Sequence, residues 1–248
     1  MSCSVAIPAR LASTRFPGKL LAEINGMCVL ERVWRRVAQA ECGKRAYIIT
    51  DSDEIAQAAH GWGASVLMSD PNCTSGTERI ASVLEALSGD FILNVQGDEP
   101  FIEPKLLDAL AARAEETQAD LITPVFKIEN EAELFNPNIV KVVRAQGGQA
   151  LYFSRSTIPY VRGKEPGEWM AEHTFWGHVG VYGYRRSVLA KYLEFPCAEL
   201  ETVECLEQLR WLDAGYRVQT VETGYRSVEV NTPGDLEKAI EYCNTYEK

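Results

Sequence analysis

Arg10, Arg15 and Lys19 fall on one short segment, PARLASTRFPGKLL, and no aspartate or glutamate precedes Glu23. Three cations around Gly18 suit an anion with many oxygens, such as a triphosphate, because Arg and Lys supply charge while a glycine allows close backbone approach. An exposed basic loop explains any one of these cations, and explains all three on one connection less readily. The pattern GxxxxGK[ST] is missing, which disfavours a P-loop ATPase or GTPase.

A second constellation lies in FILNVQGDEPFI, where Gln96, Asp98 and Glu99 stand at the end of an apolar run. A carboxylate there suits Mg²⁺, a hard cation usually bound through one or two carboxylates plus substrate phosphates, and Asp98 is the leading ligand. Gly97, Asp98 and Pro100 also suit a plain turn. In SGTERIASVLEAL, Ser75, Gly76 and Thr77 open a helix; Thr77 can cap it, and its free amides can bind polar ligand groups. Arg79 opposes the helix dipole there, which suits contact with an anion or a base edge. Further along, Arg155, His178 and Gln208 offer the cation and hydrogen-bond partners that an acid sugar requires. His178 equally suits a core histidine held by backbone groups.

The elements that must position these residues alternate. Short apolar runs at SVAIPA, AYIIT, SVLMS and FILNVQ are separated by helical patterns around 29–41, 53–60 and 77–88, the rhythm of a parallel sheet covered on both faces. A helix around 104–116 precedes strands at DLITPVF and IVKVV. After Tyr152 the segment RSTIPYVRGKEPGEWMAEHTFWG reads as a long excursion carrying a dimer contact or a lid. HVGVYGYR, helices near 187–194 and 201–214, strands RVQTV and SVEV, and a last helix from Pro233 follow. Thr232, Pro233 and Asp235 fit an N-cap, a first-turn proline and a carboxylate beside free amides.

The composition narrows the classes further. With 248 residues, 46% of them hydrophobic, the chain can bury a sizeable α/β core. A net charge of −10 disfavours nucleic acid or an anionic membrane as the main partner. No apolar run approaches the length needed to cross a bilayer, and no secretory leader is legible. The 7 cysteines form no CxxC pair, so a cytoplasmic protein with reduced thiols is expected.

Taken in order, IPARLASTRFPGKLL, SGTERI, NVQGDEP, ALYFSRSTIPY, GHVGVYGY and ECLEQLRWLDAGY closely resemble the 3-deoxy-manno-octulosonate cytidylyltransferase family, from about Val5 to about Leu236. The resemblance implies a Rossmann-like, GT-A-like nucleotidyltransferase: a three-layer α/β sandwich with a mostly parallel central sheet. It implies a single domain over 1–248, with an inserted sugar-binding and dimerisation region at about 150–186, and a homodimer. The implied reaction transfers CMP from CTP to the C2 hydroxyl of 3-deoxy-manno-octulosonate (KDO) with Mg²⁺, for lipopolysaccharide synthesis. Arg10, Arg15 and Lys19 would hold the CTP phosphates, and Ser75, Gly76, Thr77, Arg79 and Gln96 the cytosine and ribose. Lys19, Asp98 and Arg15 would be catalytic, with Asp98 on the metal. Arg155, His178, Glu207 and Gln208 would line the sugar pocket. One departure stands out: the family's VDTP motif reads Val230, Asn231, Thr232, Pro233 here, leaving a neutral amide as the second metal ligand. That change leaves open another acid sugar, such as 8-amino-KDO or a sialic acid, or a weakly catalytic binding protein. Asn231→Asp is expected to lower the Mg²⁺ requirement, with Asp235 kept in its capping role.

Overall fold

The computed structural model describes residues 2–246; Met1, Glu247 and Lys248, the ends of the expected 1–248 domain, lie outside the described residues. Its strands are β1 (Cys3–Ala9), β2 (Glu23–Ile24), β3 (Met27–Cys28), β4 (Ala46–Thr50), β5 (Ser65–Met68), β6 (Phe91–Asn94), β7 (Leu121–Lys127), β8 (Lys141–Arg144), β9 (Ala150–Ser154), β10 (Trp176–His178), β11 (Tyr182–Arg185) and β12 (Val218–Glu222). All but the small β2–β3 hairpin join one sheet in the order β5-β4-β1-β6-β11-β7-β10-β8-β9, with β12 beside β7. The run β5-β4-β1-β6 is parallel. Beyond β6 the sheet is mixed: β11 runs antiparallel to β6 and β7, β10 antiparallel to β7 and β8, and β12 parallel to β7.

The parallel strands read as continuous apolar runs because both their faces are covered. Val5, Ile7 and Ala9 of β1 point into one core with Leu93. Ala6 and Ile92 point into another on the opposite face. The helix Val29–Val37 buries Val29, Leu30, Val33 and Val37 on the first face, and Pro104–Thr117 buries Leu106, Leu107, Leu110 and Ala114 there. Ile80 and Trp211, from the helices Gly76–Ser82 and Gln208–Asp213, fill the second. These helix–sheet–helix layers are the expected three-layer α/β arrangement.

Local readings shift where tertiary contacts override pattern. SVEV is not a strand: Val230 donates its amide to the Asp98 carbonyl at 3.0 Å, so this segment is tied to a loop rather than to a sheet edge. HVGVYGYR splits into β10 and β11 around a tight bend in which the Val181 amide donates to the Val179 carbonyl. The helix expected over 201–214 breaks at Cys205, which turns left-handed (φ 51°), leaving Glu199–Glu204 and Gln208–Asp213. The helix opening at SGTER ends at Ser82. Its cap is Ser75, whose hydroxyl accepts from the Glu78 amide at 3.1 Å, and not Thr77, which is buried. The expected insertion at 150–186 starts and ends on strands of the central sheet, β9 and then β10 and β11, so the excursion proper spans 155–175.

The strand that leads to Asp98 lies against β11 through a close approach at Gly183. A Cβ there would come within 2.3 Å of the buried Phe91 ring and 2.8 Å of Ile122. Gly183→Ala should therefore destabilise the fold by about 1–3 kcal/mol through overpacking. The expected result is a lower urea midpoint at unchanged m-value; a wild-type midpoint would mean that Phe91 swings aside freely.

Candidate functional site

Chain order creates the site. From β1 the chain steps outward to β4 and β5, then returns to the other side of β1 as β6. Ligands bind at such a reversal, beyond the carboxyl ends of the strands. The register Cys3↔Phe91 through Ala6↔Asn94 brings the loop after Ala9 and the loop after Asn94 out at the same edge. Gly97 permits their contact, since a Cβ there would lie 3.1 Å from the Pro8 carbonyl oxygen. Gly18, at φ 71°, turns the basic loop into the short helix Lys19–Leu21 and so aims Lys19 inward.

Lys19 donates from Nζ to Asp98 Oδ2 at 2.5 Å and to Asn231 Oδ1 at 3.0 Å. Arg15 donates to the same Asn231 oxygen at 3.1 Å. Around this junction lies a cavity of about 250 Å³ lined by Arg10, Arg15, Lys19, Ser75, Gly76, Arg79, Gln96, Asp98 and Asn231. Thr77, expected at this site, lies behind the wall, within hydrogen-bond reach of the Tyr184 hydroxyl and of the Asn94 amide nitrogen at 3.3 Å. Arg79 reaches the cavity but already has an anion, Asp51, at 3.2 Å, with Ser69 as a further acceptor. Gln96 donates to Asn94 at 3.0 Å, and its amide lies so close to Gly76 that a Cβ there would meet it at 3.2 Å.

A second cavity, of about 600 Å³, shares Arg15 and Asn231 with the first and is lined by Arg155, His178 and Gln208. The Arg155 guanidinium donates to the carbonyls of Pro137, Glu204 and Cys205 rather than to a carboxylate, so its charge is available to a ligand. Gln208 is 4% exposed, and its Nε2 has no hydrogen-bond partner among the described residues. It is an unsatisfied donor on the cavity wall. Burial pushes His178 down to about 3, so its ring is neutral at physiological pH. Thr123 commits its proton to a backbone carbonyl, that of Val181 at 2.8 Å. His178 Nε2 therefore donates to Thr123 across 2.9 Å, and Nδ1 is left as an acceptor. Glu207 does not line this cavity. Burial raises its carboxyl, against the lowering effect of the neighbouring Thr77 and Ser75 hydroxyls.

Two residues, Glu229 and Lys141, escaped sequence reasoning, and Glu99, legible at the end of its apolar run, takes a buried place that residue type did not foretell. Glu229 lines the second cavity and accepts from Asn231 Nδ2 at 2.8 Å. It is exposed on the wall, yet the crowding protein and the neighbouring Asp98 raise its carboxyl. Glu99 is fully buried beneath, accepting from Ser227 at 2.6 Å and Tyr225 at 2.9 Å; burial, then Glu229, push it up to about 8. Lys141, also buried, donates to the carbonyls of Asn136 and Ile139 and so holds the loop that carries Asn138 to the second cavity. For Glu229 the legible signal was an acidic residue inside an otherwise strand-like run.

The donor set at the junction is all oxygen: the Asp98 carboxylate, the Asn231 amide oxygen and the Glu229 carboxylate. That chemistry fits a hard divalent cation taking its remaining ligands from phosphates and water. Among the described residues no cluster of three or more His, Cys, Asp or Glu side chains forms a ready-made cage.

His178 also makes a stability prediction. Its folded value lies below the 6.5 of a free histidine, so at lower pH the unfolded chain binds a proton that the folded chain refuses. Stability should fall as pH drops from about 6.5 towards 3, by at most about 1.4 kcal/mol per pH unit from this group. Urea unfolding of His178→Gln across that range is expected to show a shallower pH slope; a wild-type slope would mean the ring protonates in place.

The family model described as Cytidylyltransferase matches residues 5–221. The 3-deoxy-manno-octulosonate cytidylyltransferase of Porphyromonas gingivalis is 43% identical over 244 residues, covering 96% of this chain and 95% of that one. Its counterpart in Geobacter sulfurreducens is 42% identical, covering 97% and 99%. Among solved structures, a CMP:2-keto-3-deoxy-manno-octonic acid synthetase complexed with CTP superposes with a TM-score of 0.92 at 34% identity, covering 98% of this chain and 99% of that one.

Proposed function

The chain belongs to the cytidylyltransferase family, and from that premise we propose that it transfers CMP from CTP to the C2 hydroxyl of KDO, releasing pyrophosphate and supplying an activated sugar for lipopolysaccharide. One observation carries the reading: a cation-lined cavity and a cavity with an uncommitted arginine charge and an unpaired amide meet at Arg15 and Asn231.

In this reading Arg10, Arg15 and Lys19 hold the triphosphate, while Ser75, Gly76, Arg79 and Gln96 surround the ribose and base. Arg79, fixed by Asp51, acts chiefly as a shaped wall. Arg155 takes the sugar carboxylate. Gln208 Nε2 donates to a sugar oxygen, and neutral His178 accepts from a hydroxyl through Nδ1. Glu207 supports Ser75 and Thr77 from behind. These contacts set the C2 hydroxyl in line with the α-phosphorus; its oxygen forms the new P–O bond as the bond to pyrophosphate breaks. Lys19 and Arg15 offset the charge gathering on the phosphate oxygens, so catalysis is mainly positioning and electrostatics. Mg²⁺, held by Asp98 and Asn231, would lower the pKa of the attacking hydroxyl and neutralise phosphate charge when bound.

Two further features belong to the same proposal. CTP is a cytoplasmic nucleotide, which supports a cytoplasmic site of action, and among the described residues no helix is long and apolar enough to cross a membrane. A homodimer, implied by the family resemblance, is part of the same reading. Sedimentation velocity should give twice the chain mass; a concentration-independent monomer would remove the dimer from the proposal.

The primary test is pyrophosphate release from CTP and KDO over a Mg²⁺ titration, with UTP, ATP, an 8-amino analogue and a sialic acid as controls. Release that needs CTP, KDO and Mg²⁺ together is expected, whereas consumption of another sugar in place of KDO would refute the substrate. Arg155→Gln should cut kcat/KM for the sugar about a hundredfold. Gln208→Leu should cost about tenfold. Neither should change CTP binding; equal loss for both substrates would mean a folding defect.

A further inference from the structure

Asn231 occupies the boundary between the two cavities with both ends of its amide engaged. The oxygen faces Lys19 Nζ at 3.0 Å and Arg15 at 3.1 Å, and the nitrogen faces Glu229 Oε2 at 2.8 Å. Lysine and arginine can only donate and an ionised carboxylate can only accept, so the neighbours dictate which end of the amide points where. No other small side chain answers both demands. Aspartate would keep the cations but set a second carboxylate oxygen against Glu229 at the distance now spanned by a hydrogen bond, where like charges oppose each other or share a proton. Leucine or alanine would leave the cations and Glu229 unanswered. Positions 229 and 231 thus form a single unit, with one formal negative charge between them.

We propose that Glu229 is the positioning residue of the cation site: it holds the Asn231 oxygen towards Lys19, Arg15 and the Asp98 side of the cleft, and it carries the negative charge that Asn231 lacks. The inference rests on the cytidylyl-transfer reading of this cleft. It also revises the expectation for Asn231→Asp. With Glu229 present, the new carboxylate is opposed, so the substitution alone gains little, and its benefit emerges only when Glu229 is neutralised.

Glu229 is exposed on the cavity wall, so its replacement leaves the core intact. The test measures Mn²⁺ binding to the full chain with CTP and no sugar, by calorimetry, for wild type, Glu229→Ala, Asn231→Asp and the double variant Asn231→Asp/Glu229→Gln. Melting in EDTA checks folding, and the Mg²⁺ dependence of turnover is followed in parallel. Glu229→Ala should weaken Mn²⁺ binding about tenfold while CTP still binds in EDTA. Asn231→Asp should not exceed wild-type affinity, and the double variant should match or exceed it, a non-additive pattern that general loosening of the fold does not produce. Binding within about twofold of wild type in Glu229→Ala, or a gain from Asn231→Asp that is independent of residue 229, would overturn the proposal. A wild-type chain that takes up no Mn²⁺ in the presence of CTP would instead overturn the cation site itself.

Discussion

Parallel pairing of β1 with β6 is the constraint on which the site depends. Because the two strands run the same way and in register, their carboxyl ends leave the sheet side by side, and the loops that follow have no choice but to meet. One loop brings cations and the other brings carboxylates, so the meeting becomes the Lys19–Asp98 ion pair at 2.5 Å. Chain connectivity explains why this edge is open to a ligand. β1 is flanked by β4 on one side and β6 on the other, and the crossovers depart in opposite directions, leaving a crevice between them.

The segment holding Asn231 is fastened from underneath. Glu99, the residue after Asp98, turns into the core and is bound by Tyr225 and Ser227, while the Val230 amide reaches the Asp98 backbone. This anchor has an electrostatic consequence. Glu99 titrates at about 8 rather than at the ordinary 4.5. Its favourable contribution is therefore complete below the ordinary value and is lost as pH rises through the folded one. Three carboxyl groups, those of Asp98, Glu99 and Glu229, crowd behind two cations that also line the first cavity. Such a cluster is costly to gather, and it is the arrangement expected where a polyanion and a cation are taken up together.

The two cavities divide the chemistry by charge. Arg10, Arg15 and Lys19 make the first strongly positive, whereas the second offers one guanidinium, one amide donor and one neutral imidazole. A single carboxylate surrounded by hydroxyls matches the latter, and a triphosphate matches the former. Arg15 and Asn231 are common to both.

Much of this was readable before any coordinates. Apolar runs such as SVAIPA and FILN, buried on both faces, announced a covered parallel sheet, because a strand without a solvent face has no polar alternation. The cations around Gly18, the turn at QGDEP and the helix opening at SGTER were local signals carried by residue type and spacing, and their order along the chain carried the family. What the sequence could not determine was which side chains face one another across long separations. Thr77 and Glu207 turned inward to each other, Arg79 found Asp51, and SVEV abandoned strand geometry to bond with the loop at Asp98. Those outcomes depend on contacts between segments far apart along the chain. Tertiary structure alone decided them, because the free energy of a buried polar group is set by the partner that folding brings to it, and that partner is absent from its local sequence.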